Sequence, residues 1–407
     1  MEKTMMPRKI LFLSDMCVLD PNSGAAISAL AWMRTLTHAG YNCHSVSMSL
    51  FDGDDEFDMK SEFGLDINPR EHTGSRIRFS MDGIEHNVFS VGTSRANRIN
   101  EPGLATEFVK TAAEDIRRIK PDVVFGYGSN LLLPLRKLAG ELGATRVFYL
   151  ANASYVGRQN LLGEVDRIVC PSRSLADLYR NANRFECDVI WDLVPDYSKP
   201  ETLTPQSLEA RRNFGFVTMV NPVFAKGGMQ FLQIANSCLE RLPEARFLCL
   251  ESRGTRDALA KHVTGLEGLK NIWWLPRQRD MSAIYKRTSI LLVPSLWFEA
   301  SARVIAEAQL CGIPVLVNDV GGTVEQLNGG GFSFLPPVQL LANNQDICPP
   351  EQIEPWLQTL DKLLKNEDEY LKACQRAICA AEPFRLAQRE QDVLSYFKNA
   401  LPVELAV

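Results

Sequence analysis

The sequence predicts an α/β protein of two doubly wound domains with a C-terminal helical tail. Three observations predict it. The chain has 407 residues, too many for one ordinary core and suited to two. Short apolar runs alternate with longer amphipathic stretches, and this pattern occurs twice. Between the two occurrences, residues 192–213 are mostly polar and hold Pro195, Pro200 and Pro205, as a domain boundary would.

The first occurrence opens with a buried-strand signal at 9–14. A small-residue loop, 20–24, leads into an Ala-rich helix at 25–39 that Gly40 stops, and 41–48 reads as the next strand. Residues 50–75 are acidic and irregular, with Asp52 and Asp54–Glu56 read as a solvated loop. Alternating stretches at 76–81 and 85–91 flank Asp82-Gly83, a hairpin signal. Helices are expected at 101–120 and 131–142, and strands at 121–125, 146–150 and 165–170. Ser172 is placed to cap the helix that follows.

The second occurrence starts with a strand at 214–220, a loop, and a helix at 227–241. Further strands are expected at 246–251, 271–275, 289–294 and 313–318, and the stretch 350–401 reads as helical. Both halves therefore read as Rossmann-like, with ligands expected at the carboxyl ends of the strands, in the cleft between domains.

Composition excludes several function classes. Apolar residues make up 45% and charged residues 23%, as in a globular enzyme. A net charge of −5 argues against nucleic acid as a partner. The ten cysteines lie singly, without a C-x-x-C pair, and only five histidines are present, so buried thiols are expected and no metal. No apolar run approaches the length of a membrane span, and the first nine residues are short and polar for a signal peptide. The expected location is cytoplasmic, with peripheral membrane contact left open for a lipid acceptor.

The densest chemistry lies between Leu291 and Ala308. A buried strand ends at Pro294, a loop carries Glu299, and a helix starts near Ser301 or Ala302 with Glu307 in its second turn. Free N–H groups and the positive dipole end at such a helix start suit a diphosphate. Ser301 and Ala302 are small enough for an anion to approach the backbone. A carboxylate at Glu307 can accept two hydrogen bonds from a ribose diol, and Glu299 can reach sugar hydroxyls. The plain alternative makes Glu299 a cap and Glu307 a surface residue. A buried strand at Gly312-Ile-Pro-Val and a Gly321-Gly322 loop weigh against it.

Two glutamates with seven residues between them, then Ala308, Gly312-Ile-Pro-Val and Gly321-Gly322-x-x-Glu325, resemble the retaining nucleotide-sugar glycosyltransferases of type B fold, in particular glycosyltransferase family 4. The loop Asn221 to Lys226-Gly227-Gly228, Ser23-Gly24 before a helix, and Ile168 to Ser172 are similar to further parts of that family. The resemblance spans nearly the whole chain and is specific between about 214 and 335.

It implies an N-terminal acceptor domain at 1–195, a donor domain at 196–380, and a helix at 381–407 that packs back on the N-terminal domain. It implies a nucleotide-diphosphate sugar as donor substrate, with no cofactor or metal. Lys226 would neutralise the diphosphate and the leaving nucleotide, and Glu299 would act with it as the second catalytic residue. Glu299 and the backbone of Ala300, Ser301, Ala302 and Arg303 would hold sugar and phosphate, and Glu307 the ribose. Gly227 and Gly24 would allow close backbone approach, and 273–277 would lie near the base.

The chain departs from the family twice. Where the family has a Gly-Arg pair before the lysine, this chain has Asn221-Pro222. Arg303 is the first candidate to supply that charge, with Arg253 and Arg256 behind it. Where many members carry a histidine after the strand at 146–150, this chain has Asn152 and Ser154, which can hydrogen-bond a hydroxyl but are poor bases. In the family's mechanism the leaving phosphate can take the acceptor proton, so a protein base is not essential and the loss of histidine need not mean loss of activity. The departures keep a second reading open, a non-catalytic binder of a nucleotide sugar or a partner protein. A non-hydrolysing sugar-nucleotide epimerase ranks last, because histidine is scarce.

Overall fold

In the computed structural model, which describes residues 8–52, 58–65, 72–95, 102–158, 162 and 164–401, the chain divides into two units. The first comprises the described residues of Met1–Pro171, Leu175–Leu193 and Arg389–Val407, and the second Ser172–Ser174 and Val194–Gln388. Residues 53–57 of the acidic stretch lie outside the described residues.

The first unit is built from β1 (Lys9–Leu13), α1 (Gly24–His38), β2 (Asn42–Met48), α2 (Met59–Phe63), β3 (Arg76–Met81), β4 (Ile84–Phe89), α3 (Pro102–Ile119), β5 (Val123–Gly126), α4 (Leu133–Glu141), β6 (Thr145–Tyr149), β7 (Arg167–Cys170), α5 (Arg173–Asn183) and β8 (Asp188–Val189). The strands form one sheet of order β3-β4-β2-β1-β5-β6-β7-β8. Only β3 runs antiparallel, paired to β4 through the expected hairpin. Asp82 (φ 55°) and Gly83 (φ 73°) both take the left-handed conformation that this two-residue turn requires. The central strands β1, beyond Lys9, and β5 are buried because helices cover both faces, which is why they read as unbroken apolar runs.

The second unit restarts with α6 (Pro205–Phe214), β9 (Phe216–Val220), α7 (Gly228–Arg241), β10 (Phe247–Leu250), α8 (Arg256–Ala260), β11 (Ile272–Leu275), α9 (Ser282–Tyr285), β12 (Thr288–Val293), α10 (Arg303–Leu310), β13 (Val315–Asn318), α11 (Thr323–Leu327) and β14 (Phe332–Phe334). Then follow α12 (Val338–Ala342), α13 (Pro350–Lys365), α14 (Glu367–Ala381) and α15 (Leu386–Ala400). Its six strands are all parallel, in the order β11-β10-β9-β12-β13-β14. Both sheets are thus doubly wound, and the two Rossmann-like domains stand as expected.

Several details differ from the expectation. The polar stretch 192–213 is not all linker. Thr204 caps α6 with its hydroxyl and Pro205 occupies the first turn, where a missing N–H costs nothing. Buried Arg211 fastens α6 to the unit by donating to the carbonyls of Cys311 (2.7 Å) and Gly312 (2.6 Å). The strand β14 had no clear signal. The C-terminal helical stretch is three helices, broken by a 3-10 turn at Glu382–Phe384 where Pro383 removes a donor.

Arg389–Val407 belongs to the first unit. Phe397 packs edge-on to Phe125 at 5.2 Å, and Trp32 lies between Phe397 and Tyr149. Buried Asp192 accepts hydrogen bonds from Ser28 (2.6 Å) and Tyr149 (3.2 Å) in the same core. The cysteines are free thiols, eight of them buried. Burial pushes the Cys43 thiol up to about 11, so it behaves as a small apolar group. Among the described residues, no helix is long and apolar enough to cross a membrane.

Candidate functional site

In an open doubly wound sheet the crevice forms where strand order reverses, outside the carboxyl ends of two adjacent strands. In the second unit that point lies between β9 and β12. The loops that follow these strands carry Lys226 and Glu299.

The β9–α7 loop turns at Asn221 (φ 60°), forms a 3-10 turn at Phe224–Lys226, and enters α7 through Gly227 (φ 82°). A Cβ on Gly227 would stand 2.0 Å from the Pro294 carbonyl oxygen, so only glycine lets this loop lie against the end of β12. The two loops are then laced by backbone bonds. The N–H groups of Leu296 (2.9 Å) and Trp297 (3.2 Å) both donate to the Ala225 carbonyl. The loop after β13 joins them, since Gly322 N–H donates to the Glu299 carbonyl at 2.6 Å. A Cβ on Gly321 would lie 2.4 Å from that same oxygen.

Glu299 is buried, with 5% of its surface exposed. Its Oε1 accepts from the Ser295 hydroxyl at 2.7 Å and lies 3.3 Å from Lys226 Nζ. A buried carboxylate needs such partners, and here they also fix the lysine. The Lys226 ammonium sits 5.6 Å from the centroid of half-exposed Trp297, and the Arg253 guanidinium 5.9 Å from the same ring.

The helix α10 starts at Arg303 with Ala302 as its cap residue, and no side chain caps it. The Ser301 hydroxyl accepts from the amide of buried Gln326. Glu307 stands in the second turn, as expected, and it is buried. Its Oε2 accepts from Tyr285 Oη at 2.7 Å, and its Oε1 lies 3.8 Å from Arg303 Nε. Burial, and then the charge of Glu307, push the Tyr285 hydroxyl well above its ordinary value, so it remains a donor. The same two causes raise Tyr197, whose ring tilts against Tyr285 at 5.4 Å.

The second unit therefore carries Lys226, Gly227, Glu299, Ser301 and Ala302 on the loops at one switch point, and Arg303 and Glu307 on the helix α10 that follows. Arg303, the first candidate for the missing charge, faces Glu307, while Arg253 shares Trp297 with Lys226. Trp273 packs edge-on to Phe216 at 5.5 Å. Within the second unit, Glu325 accepts from the N–H groups of Arg173 and Ser174, both at 2.9 Å. Tyr285, Ser295 and Trp297 were missed. No spacing rule marks them, because their roles come from packing.

Gly24 and Asn152 belong to the first unit. Gly24 opens α1, and a Cβ there would meet nothing within 4 Å, so the fold itself does not demand glycine. Asn152 Oδ1 accepts from Ser154 N–H at 2.9 Å, and its carbonyl accepts from Tyr179 Oη at 2.9 Å. At this unit's own switch point, between β1 and β5, lies a cavity of about 950 Å³ lined by Asp15, Ser23, Tyr127, Asn152 and Arg158 among others. Asp15 accepts from Ser129 N–H at 2.9 Å, and the buried Tyr127 hydroxyl has no hydrogen-bond partner among the described residues.

Residues 204–381 match the profile of the family described as glycosyl transferases group 1. This segment, which lies in the second unit, is similar to the group 1 glycosyltransferases. A D-inositol 3-phosphate glycosyltransferase of Nocardia farcinica is 25% identical over 268 residues, which cover 60% of this chain and 55% of that protein. The chain spans about half the length of the first curated relatives it matches. Among solved structures, a glycosyltransferase of Rickettsia africae superposes with a TM-score of 0.68 at 17% identity, covering 97% of this chain and 98% of that one. HepE of Anabaena, solved with UDP and glucose, superposes with a TM-score of 0.66 at 16% identity, covering 96% and 99%. At these identities the structures show a shared fold alone. The family segment contains the whole Lys226–Glu307 constellation.

Proposed function

We propose that the protein is a retaining, metal-independent glycosyltransferase. Its second unit binds a nucleotide-diphosphate sugar, and its first binds the acceptor. The observation that carries this reading is the meeting of Lys226 and Glu299 at the switch point of the second sheet, in the same loop cluster as the uncapped start of α10. A diphosphate there meets the lysine ammonium and the N–H groups near Ser301, Ala302 and Arg303, and gains more from them than in water. Glu307 keeps accepting capacity beyond its bond from Tyr285, since each carboxylate oxygen has two lone pairs, and it binds the ribose diol. Glu299 holds hydroxyls of the transferred sugar.

In the reaction the bond from the anomeric carbon to the phosphate oxygen breaks, and its electron pair stays with the phosphate. The acceptor oxygen bonds the same face of that carbon, and the acceptor proton passes to the departing phosphate. Lys226 stabilises the charge that develops there. This route needs no histidine where Asn152 stands. Asn152 and the loop ending at Gly24 are proposed ligand contacts of the first unit. Uridine is the first base to test, since HepE was solved with UDP and glucose. Curated relatives are inositol 3-phosphate glycosyltransferases, so polyol phosphates belong in the acceptor panel.

The test is incubation with UDP-, GDP- and ADP-sugars, followed by detection of donor hydrolysis or transfer. Turnover of one donor is expected, and Glu307→Ala should abolish it. Full activity in that variant would overturn the assignment of Glu307. Nucleotide binding without turnover of any donor would favour the non-catalytic reading.

A further inference from the structure

The cation that works beside Lys226 is set on a different loop, and a second residue holds that loop in place. Lys226 alone is a weak answer to a diphosphate, because Glu299 Oε1, 3.3 Å away, already takes part of its charge. Arg253 lies on the loop between β10 and α8 and is exposed. No carboxylate ion pair engages it among the described residues, and its one marked contact is with the face of Trp297. Lys226 contacts that same ring. Two cations thus lean on one half-exposed indole at the end of β12, and an arginine fork is the side chain best matched to phosphate oxygens.

The position of Arg253 is not left to a free loop. The Asn221 side-chain Oδ1 accepts from Gly254 N–H at 2.9 Å, which ties the residue after Arg253 to the loop that carries Lys226. Gly254 packs so closely that a Cβ there would stand 2.5 Å from Val223 N. Asn221 itself has φ 60°, a conformation that asparagine tolerates and arginine rarely adopts. The residue at 221 is therefore a clamp rather than a ligand.

We propose that Arg253 binds the donor's diphosphate together with Lys226, on the Trp297 platform, and that Asn221 is the positioning residue that holds Arg253 there. This rests on the donor reading given under Proposed function. It assigns the diphosphate's second cation to Arg253, away from Arg303, which is engaged with Glu307.

The test compares UDP with UMP by calorimetry on the full chain, with GDP and GMP in parallel. The preference for diphosphate over monophosphate is the readout, because a merely structural role would lower both affinities together. Wild type is expected to prefer the diphosphate. Arg253→Gln should cut that preference about tenfold or more, as losing a charge-assisted bond does. Arg253→Lys should restore part of it. Asn221→Ala should reduce it less, with an unchanged melting temperature confirming the fold. An unchanged preference in Arg253→Gln, with wild type still preferring the diphosphate, would overturn this proposal and leave the donor reading standing. No nucleotide binding by wild type would overturn the donor reading itself.

Discussion

At the switch point of the first sheet, β1 and β5 run into Asp15 and Tyr127, around an open cavity. At that of the second, β9 and β12 run into Lys226 and Glu299, in loops laced to one another by backbone bonds. The geometry is shared, and the chemistry differs. The second point is filled with paired charges whose positions are fixed by Gly227 and Gly321. The first carries carboxylates, hydroxyls and one exposed guanidinium, Arg158, around empty volume. A site that must hold a charged diphosphate in one pose needs the fixed, paired charges of the second point. A site that selects among hydroxyl-bearing acceptors is served by the open, hydroxyl-lined volume of the first.

The largest expected effect tests the charged side of this contrast. Lys226→Ala should lower kcat by roughly 10²–10³-fold, the usual cost of removing one donor aimed at developing charge. Steady-state assay with the active donor checks it, and a loss below threefold would break the contrast.

The next effect concerns stability against pH. His86 in β4 is buried, takes part in a hydrogen bond with Ser45 Oγ (2.8 Å) and stacks on Phe79. Burial lowers its pKa from 6.5 to about 4. The unfolded chain then binds the extra proton between these values, so stability is full above about pH 6.5 and falls as pH drops toward 4. The loss should approach about 3 kcal/mol. The second unit's only histidine, His262, is exposed, so hydrogen exchange at pH 5 should rise in β2 and β4 before β9 and β12. His86→Gln should flatten the dependence of urea midpoints on pH.

Gly227→Ala tests the lacing. A left-handed conformation and the Pro294 oxygen 2.0 Å away should cost about 2 kcal/mol or more in urea unfolding. Last comes Asp15→Asn, which keeps an acceptor for Ser129 N–H and removes the charge. Transfer to the acceptor should fall about tenfold while donor hydrolysis by water stays within about twofold. Equal losses in both reactions would tie Asp15 to the donor.

Much of this contrast was legible in the sequence, and the illegible part has physical causes. The strands could be read because full burial leaves unbroken apolar runs, and Asp82-Gly83 because its turn needs positive φ at both residues. Lys226, Glu299 and Glu307 were found because a strand end, small residues and a helix start are local patterns. Helix α6 was hidden by prolines that mark a helix start as readily as a break. Tyr285, Trp297 and the Asn221–Gly254 bond were hidden because each depends on residues brought together from distant segments. Arg303 looked like the better cation because it is near in sequence, whereas Arg253 and Lys226 come to the same Trp297 ring from the loops after the paired strands β10 and β9.

The most direct measurement is a crystal structure with a bound UDP-sugar, or whichever nucleotide sugar the donor assay selects. The diphosphate should lie against Lys226 and the first N–H groups of α10, with the ribose on Glu307. Nucleotide bound instead in the cavity of Asp15 and Tyr127, with the Lys226–Glu299 loops empty, would contradict the assignment of the donor to the second unit.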